Sequence, residues 1–255
     1  MDDVWYGRFW NEALEPLQPQ ARDALLVGAQ PAELLPPLTD APRMLTDGEE
    51  WDNGYGLHPD GSMVVSVHTD MPGVRADMWD WWFGWHGDDS RKYRLWHPRA
   101  HLYAAWADGP SSATQSYVGR TSFLEEYLGA DRTALAIRFL PPSELGFDPE
   151  RLQDGRATVI AARVGLSAVP LDAGYLVHAI RPVPGGVQMR SRFWIGGKYV
   201  AGRGRDHLDP AVRLFARVAM RRTENQARAL LVHCAQEMNH LAGFLPQLHA
   251  QAQEH

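Results

Sequence analysis

"AVRLFARVAMRRTENQARALLVHCAQEMNHLAGFL", residues 211–245, contains no glycine or proline before Gly243, and Pro246 follows it. Asp209-Pro210 ahead of it is a helix-start signal. The stretch predicts one long helix of about thirty residues near the C-terminus.

Upstream lie runs rich in β-branched and aromatic residues: "HLYAAWA" (101–107), "ALAIRFLP" (134–141), "ATVIAARVGL" (157–166), "GYLVHAIRPV" (174–183) and "GVQMRSRFWIG" (186–196). These read as strands, the last two joined by a turn at Pro184-Gly185-Gly186. An earlier pair of extended runs in "GYGLHPDGSMVVSVHTDM" (54–71) flanks His58-Pro59-Asp60-Gly61, which supplies turn chemistry. Successive antiparallel strands followed by one long helix define an α+β protein. Such a helix is buried when the sheet curls around it, and the space between them is a natural ligand cavity.

Two further segments complete the plan. "VRADMWDWWFGWHG" (74–87) reads as a helix with Met78, Trp82 and Trp85 on one face and Gly87 as its stop. Residues 1–54 read as an arm of short helices broken by Pro36, Pro37 and Pro42, ahead of a main body over 55–255.

Net charge is −6 and Lys/Arg are scattered, which excludes the basic footprint of a nucleic-acid binder. The N-terminus lacks the plan of a signal peptide, and no apolar run reaches the roughly 18 residues that span a bilayer. Cys234 is the only cysteine, so no disulfide forms within the chain. A soluble cytoplasmic protein is the expectation, with neither nucleic acid nor membrane as partner.

Chemistry concentrates in "LVHCAQEMNHL" (231–241). His233 and Glu237 are four residues apart, on one helical face, and His240 follows. Imidazole nitrogen and carboxylate oxygen both bind zinc, so one helix can offer two ligands. The plain alternative is a solvated His/Glu pair. Leu230, Leu231, Leu241 and Phe244 make the surroundings apolar, where an unpaired Glu is expensive. Further donors stand in "WHPRAH" (His97, His101) and in "FLEEYLG" (Glu125, Glu126).

Other residues have simpler readings. His86 and His97 are expected to pack or cap, and His240 to ligate or to support a ligand. Cys234 reads as a small hydrophobe. Asp88 and Asp89 read as a solvated loop, Arg91, Lys92 and Arg94 as surface charges, and His68 with Asp70 as a strand end. Of Trp79, Trp81, Trp82 and Trp85, at least two belong to the core.

"MWDWWFGWH", "KYRLWHPRAH", "EEYLG" and "HCAQEMNH", in that order, resemble the 2,4-diacetylphloroglucinol hydrolase family, which includes phloretin hydrolase; the resemblance covers roughly residues 50–245. It implies a zinc-dependent hydrolase that cuts the carbon–carbon bond between an acyl group and a phenolic ring. It also implies the helix-grip fold shared with START-type lipid carriers, and a homodimer formed with the help of the N-terminal part. Position by position, it implies His101, Glu126, His233 and Glu237 as zinc ligands, with Glu125 the alternative to Glu126. Tyr93 falls on a tyrosine that holds the ring oxygen, and His178 near an active-site histidine suited to proton delivery. Ala104 and Phe193 replace a substrate-contacting Asn and Tyr, which implies either the same chemistry on a less hydroxylated small aromatic ketone or a drift or loss of the activity. Trp82 is the expected aromatic wall of the slot. The rival readings are a metal-free carrier of aromatic ligands and a polyketide cyclase.

Overall fold

The computed structural model describes residues 1, 3–46, 51–109, 116–155, 157–204 and 210–254. The arm carries helix α1 (Pro19–Val27) and short 3₁₀ segments, the longest of them Leu38–Leu45. Strands β1 (Gly54–Leu57) and β2 (Met63–Pro72) are followed by helices α2 (Ala76–Trp85) and α3 (Ser90–Trp96). A meander then runs through β3 (His101–Trp106), β4 (Thr121–Leu128), β5 (Asp131–Leu140), β6 (Thr158–Leu166), β7 (Leu171–Val183) and β8 (Gly186–Ile195). The short β9 (Ala201–Gly202) and helices α4 (Pro210–Ala219), α5 (Glu224–Ala242) and α6 (Leu245–Ala252) complete the chain.

The strand order is β1-β2-β8-β7-β6-β5-β4-β3, with β9 pairing β7, and the pairings are antiparallel. Helices α2 and α3 carry the chain from β2 to the far edge, and the meander returns until β8 meets β2. Helix α5 packs on β1 and β2 and also on β4. In a flat sheet β2 and β4 would lie about 24 Å apart, more than twice the width of a helix. The sheet therefore curls around α5, and the protein has the helix-grip α+β fold.

Both faces of the central strands are covered, which is why β6 is buried along nearly its whole length. On the concave side α2 and α5 pack their apolar faces against the sheet. On the convex side Leu35, Ala41 and Met44 from the arm cover Val159, Val177 and Trp194. Trp194 Nε1 donates to the Pro36 carbonyl at 2.9 Å, and Arg190 donates to the Met44 and Thr46 carbonyls. Tyr6 and Phe9 enter the concave-side core, where Phe9 stacks on Phe244.

The structure departs from the sequence reading in three places. The single C-terminal helix is two: α4 stops at Ala219 and α5 begins at Glu224. Thr223 causes the restart, because its hydroxyl accepts from the Gln226 N–H while the Gln226 side chain accepts from the Thr223 N–H. The start signal at Asp209 lies outside the described residues. Gly87 is not a left-handed helix stop; an added Cβ there would lie 2.5 Å from the Trp106 ring, so it is a close approach of backbone to indole. Asp89 is the N-cap of α3, accepting from the Arg91 N–H, rather than part of a solvated loop, and it also accepts from the Tyr6 hydroxyl. The segment "TSFLEEYL", to which the sequence reading gave no element, is strand β4. The β7–β8 turn is as expected, with Gly185 at φ +85° and the strand resuming at Gly186.

Candidate active site

Two local geometries bring the donor set together. His101 and Glu126 are direct cross-strand partners on β3 and β4, and their side chains project to the concave face. His233 and Glu237 lie one turn apart on α5 and face them. His101 Nε2 is 3.4 Å from His233 Nε2, 3.7 Å from Glu126 Oε2 and 3.3 Å from Glu237 Oε2. His233 Nε2 is 3.8 Å from Glu126 Oε2 and 3.6 Å from Glu237 Oε2. All four residues are buried.

The separations among His101, Glu126 and His233 suit one small cation. Ligand atoms at about 2.0–2.2 Å from a tetrahedral ion are about 3.3–3.6 Å apart. The orientation fits as well. The Tyr93 carbonyl accepts from His101 Nδ1 at 2.9 Å, which leaves a lone pair on Nε2 facing the cluster. The Tyr93 ring stacks on His101 with centroids 3.8 Å apart, and its hydroxyl donates to Glu126 Oε2. His97 stacks on His233 at 5.0 Å and lies 3.4 Å from Gln236 Oε1. The buried group His101, Glu126 and His233 can thus hold a metal ion, and Glu237 Oε2 lies within 3.6 Å of both histidine nitrogens.

Burial sets the electrostatics. It pushes the Glu126 carboxyl up to about 7, against the Tyr93 hydrogen bond that favours the anion. Burial, reinforced by Glu126, raises Glu237 well above the carboxylate range. Burial holds His233 down to about 4, and with its histidine neighbours it holds His101 well below the usual value. Without a cation every member is driven towards its neutral form, because nothing else in the cluster compensates charge.

The cluster forms one wall of a cavity of about 970 Å³ between α5 and the sheet. His178 and Phe193 line it, with ring centroids 5.9 Å apart, and His178 Nδ1 bonds Ser191 Oγ at 2.7 Å. Burial lowers His178 to about 3, so its ring is neutral.

The structure places two of the expected substrate contacts elsewhere. Trp82 is fully buried behind His86, on which it stacks, and does not line the cavity. Phe83 and His86 take that part of the wall, because the apolar face of Met78, Trp82 and Trp85 points into the core. Ala104 is buried against Ser90, to which its N–H donates at 3.1 Å, and is covered by α3. A bulge between His101 and Tyr103 resets the alternation of β3.

Residues passed over in the sequence also line the cavity, notably Trp96, Gln236 and Arg222. Trp96 and Tyr93 lie three apart, a helical spacing that "SRKYRLW" shows once Asp89 is read as a cap. His240 is buried with Nε2 unpartnered and lies outside the donor cluster. Cys234 is fully buried.

A helix-grip protein with a buried two-His, two-Glu cluster at its cavity wall defines the class. Comparison with known proteins identifies the family. The family described as the DAPG hydrolase PhiG domain matches residues 34–250. A 2,4-diacetylphloroglucinol hydrolase from Pseudomonas sp is 31% identical over 229 residues, covering 85% of this chain and 77% of that protein. The enzyme of the same name from Pseudomonas protegens is 30% identical over 85% of this chain and 74% of its own. Phloretin hydrolase from Eubacterium ramulus is 28% identical over 98% of this chain and 90% of that one. The chain belongs to the DAPG hydrolase family.

Proposed function

We propose that the protein is a zinc-dependent hydrolase that cleaves the carbon–carbon bond between an acyl group and a phenolic ring carbon. Water is added across that bond: the acyl carbon gains oxygen and leaves as a carboxylic acid, and the ring carbon gains hydrogen. His101, Glu126, His233 and Glu237 would hold the metal. When bound, zinc supplies Lewis acidity, polarising the acyl oxygen and lowering the pKa of water.

The chain's own residues do the rest. The bonding pair departs with the ring, so the ring must carry that charge as an enolate over its oxygens. Tyr93 donates its proton to Glu126 and keeps its lone pairs for a ring hydroxyl, which places the phenol beside the cluster. His178, a neutral ring anchored through Nδ1 to Ser191, presents Nε2 to the cavity as a hydrogen-bond partner for a ring oxygen and a path for the proton to carbon. Phe83, Trp96 and Phe193 flank the planar ring and exclude water that would compete for these contacts. Phe193 offers no hydroxyl, which suits a ring with fewer oxygens than phloroglucinol.

The convergence of four donor atoms from β3, β4 and α5 carries this reading. A carrier of apolar ligands gains nothing from two carboxylates buried against its cargo. The test is metal content of the purified protein together with cleavage of acetylphloroglucinol by wild type, His233→Ala and Glu237→Ala. The expected result is about one zinc per chain and a loss of at least ~10³-fold in kcat/KM for either variant. Full activity in chelator-treated wild type would defeat the proposal.

A further inference from the structure

The cavity is far longer than the donor cluster needs. Gln226, Leu230, His233 and Glu237 line it along one face of α5, and Arg222 lines it just before the helix begins. Arg222 and His233 are eleven positions apart, about 16 Å at helical rise. Arg222 is fixed there by its backbone. Its N–H donates to the Gly61 carbonyl at 2.8 Å, and its stem lies against Gly196, where an added Cβ would be 3.0 Å from Arg222 Cγ.

The guanidinium is only partly satisfied. Its Nε is shielded from solvent without a hydrogen-bond partner, and no carboxylate offsets the burial that depresses its pKa. An arginine does not escape such a position by losing its proton, and an anion is the partner that satisfies both its open N–H and its charge. The surroundings point the same way. Apart from the cluster carboxylates, the described lining carries Arg99, Arg222 and Arg228 against Asp131, on a chain of net charge −6.

We propose that the end of the cavity at Arg222 is a subsite for an anionic group, such as a carboxylate, at the far end of the substrate's acyl chain. This rests on the hydrolase reading for the position of the acyl carbon beside the cluster. The substrate class is then an aromatic ketone whose acyl chain ends in an acid, held between the donor cluster and a guanidinium. Arginine pairs with a carboxylate through two parallel N–H bonds, which fixes chain length as well as charge.

The probes are phloroglucinols acylated with ω-carboxyl chains of graded length, each compared with its methyl ester. Binding is read by titration calorimetry and cleavage by release of phloroglucinol. In wild type, the acid of best-matched length should bind about 10- to 100-fold tighter than its ester. Arg222→Met should remove that ratio, and Arg222→Lys, which keeps the charge without the fork, should retain part of it. Equal affinity for acid and ester at every length in wild type, or an unchanged ratio in Arg222→Met, overturns the subsite. Tight, discriminating binding without cleavage leaves the subsite standing and defeats the hydrolase reading, whereas cleavage without discrimination does the reverse.

Discussion

Helix α2 commits Trp79, Trp82 and Phe83 to the interior, whereas α5 sends His233 and Glu237 into the same interior. The α2 side chains are buried because leaving water is favourable to their large apolar rings; Trp82 packs on Trp85, His86 and Trp96, and that burial outweighs the unpartnered N–H of its indole. The α5 side chains are buried against their preference, and burial lowers His233 and raises Glu237 so that each favours its uncharged form. Aromatic density marks where the fold is held, and polar groups buried at a cost mark where a ligand is awaited.

The largest effect should separate these two kinds of burial. Trp82→Ala opens a cavity in a packed core and should lower stability by about 3–5 kcal/mol in urea unfolding. Glu237→Gln, measured with chelator present, should be neutral or stabilising, because it removes a carboxyl crowded by Glu126 while keeping its shape. If both variants destabilise the metal-free protein alike, the distinction between α2 and α5 fails.

Much of this was legible before any coordinates. Strand runs carry the β-branched and aromatic content that suits a buried pleated surface, and H-x-x-x-E on a helix fixes the relative direction of two ligands. What periodicity cannot give is the partner of a face. Met78, Trp82 and Trp85 share one side of α2, but only the packed structure shows that it meets core rather than cavity. The bulge in β3 has no clear sequence marker, so Ala104 could not be placed by counting from His101. Other misses had a signal. Thr223-Glu224-Asn225-Gln226 is a capping-box pattern inside an unbroken run, and Asp89 precedes an amphipathic turn.

His178 extends the comparison to a histidine outside the donor cluster. Its folded value of about 3 lies below the ordinary 6.5, so the unfolded chain takes up its proton first. The stability gained by keeping it neutral is complete above pH ~6.5 and is lost as the pH falls towards 3. Between pH 7.5 and 5 this one group should cost about 2 kcal/mol. His178→Asn, which can keep a contact to Ser191, should flatten the pH dependence by that amount relative to wild type, with urea midpoints as the measure. Parallel curves would mean that the ring is charged or solvated in the native state.

Glu125 and Glu126 provide the smallest and sharpest version of the contrast, since two identical side chains stand next to each other. Strand alternation turns Glu126 inward to Tyr93 and the cluster, and Glu125 outward to an ion pair with Arg132. An exposed pair of this kind contributes little in water. Glu125→Ala should shift the thermal midpoint by less than about 2 °C and leave metal content unchanged. Glu126→Ala should abolish stoichiometric zinc, and atomic absorption on the two purified variants checks both outcomes. A chain that loses its metal through Glu125 instead would place β4 one residue out of register, since a shift of one exchanges every inward side chain for an outward one.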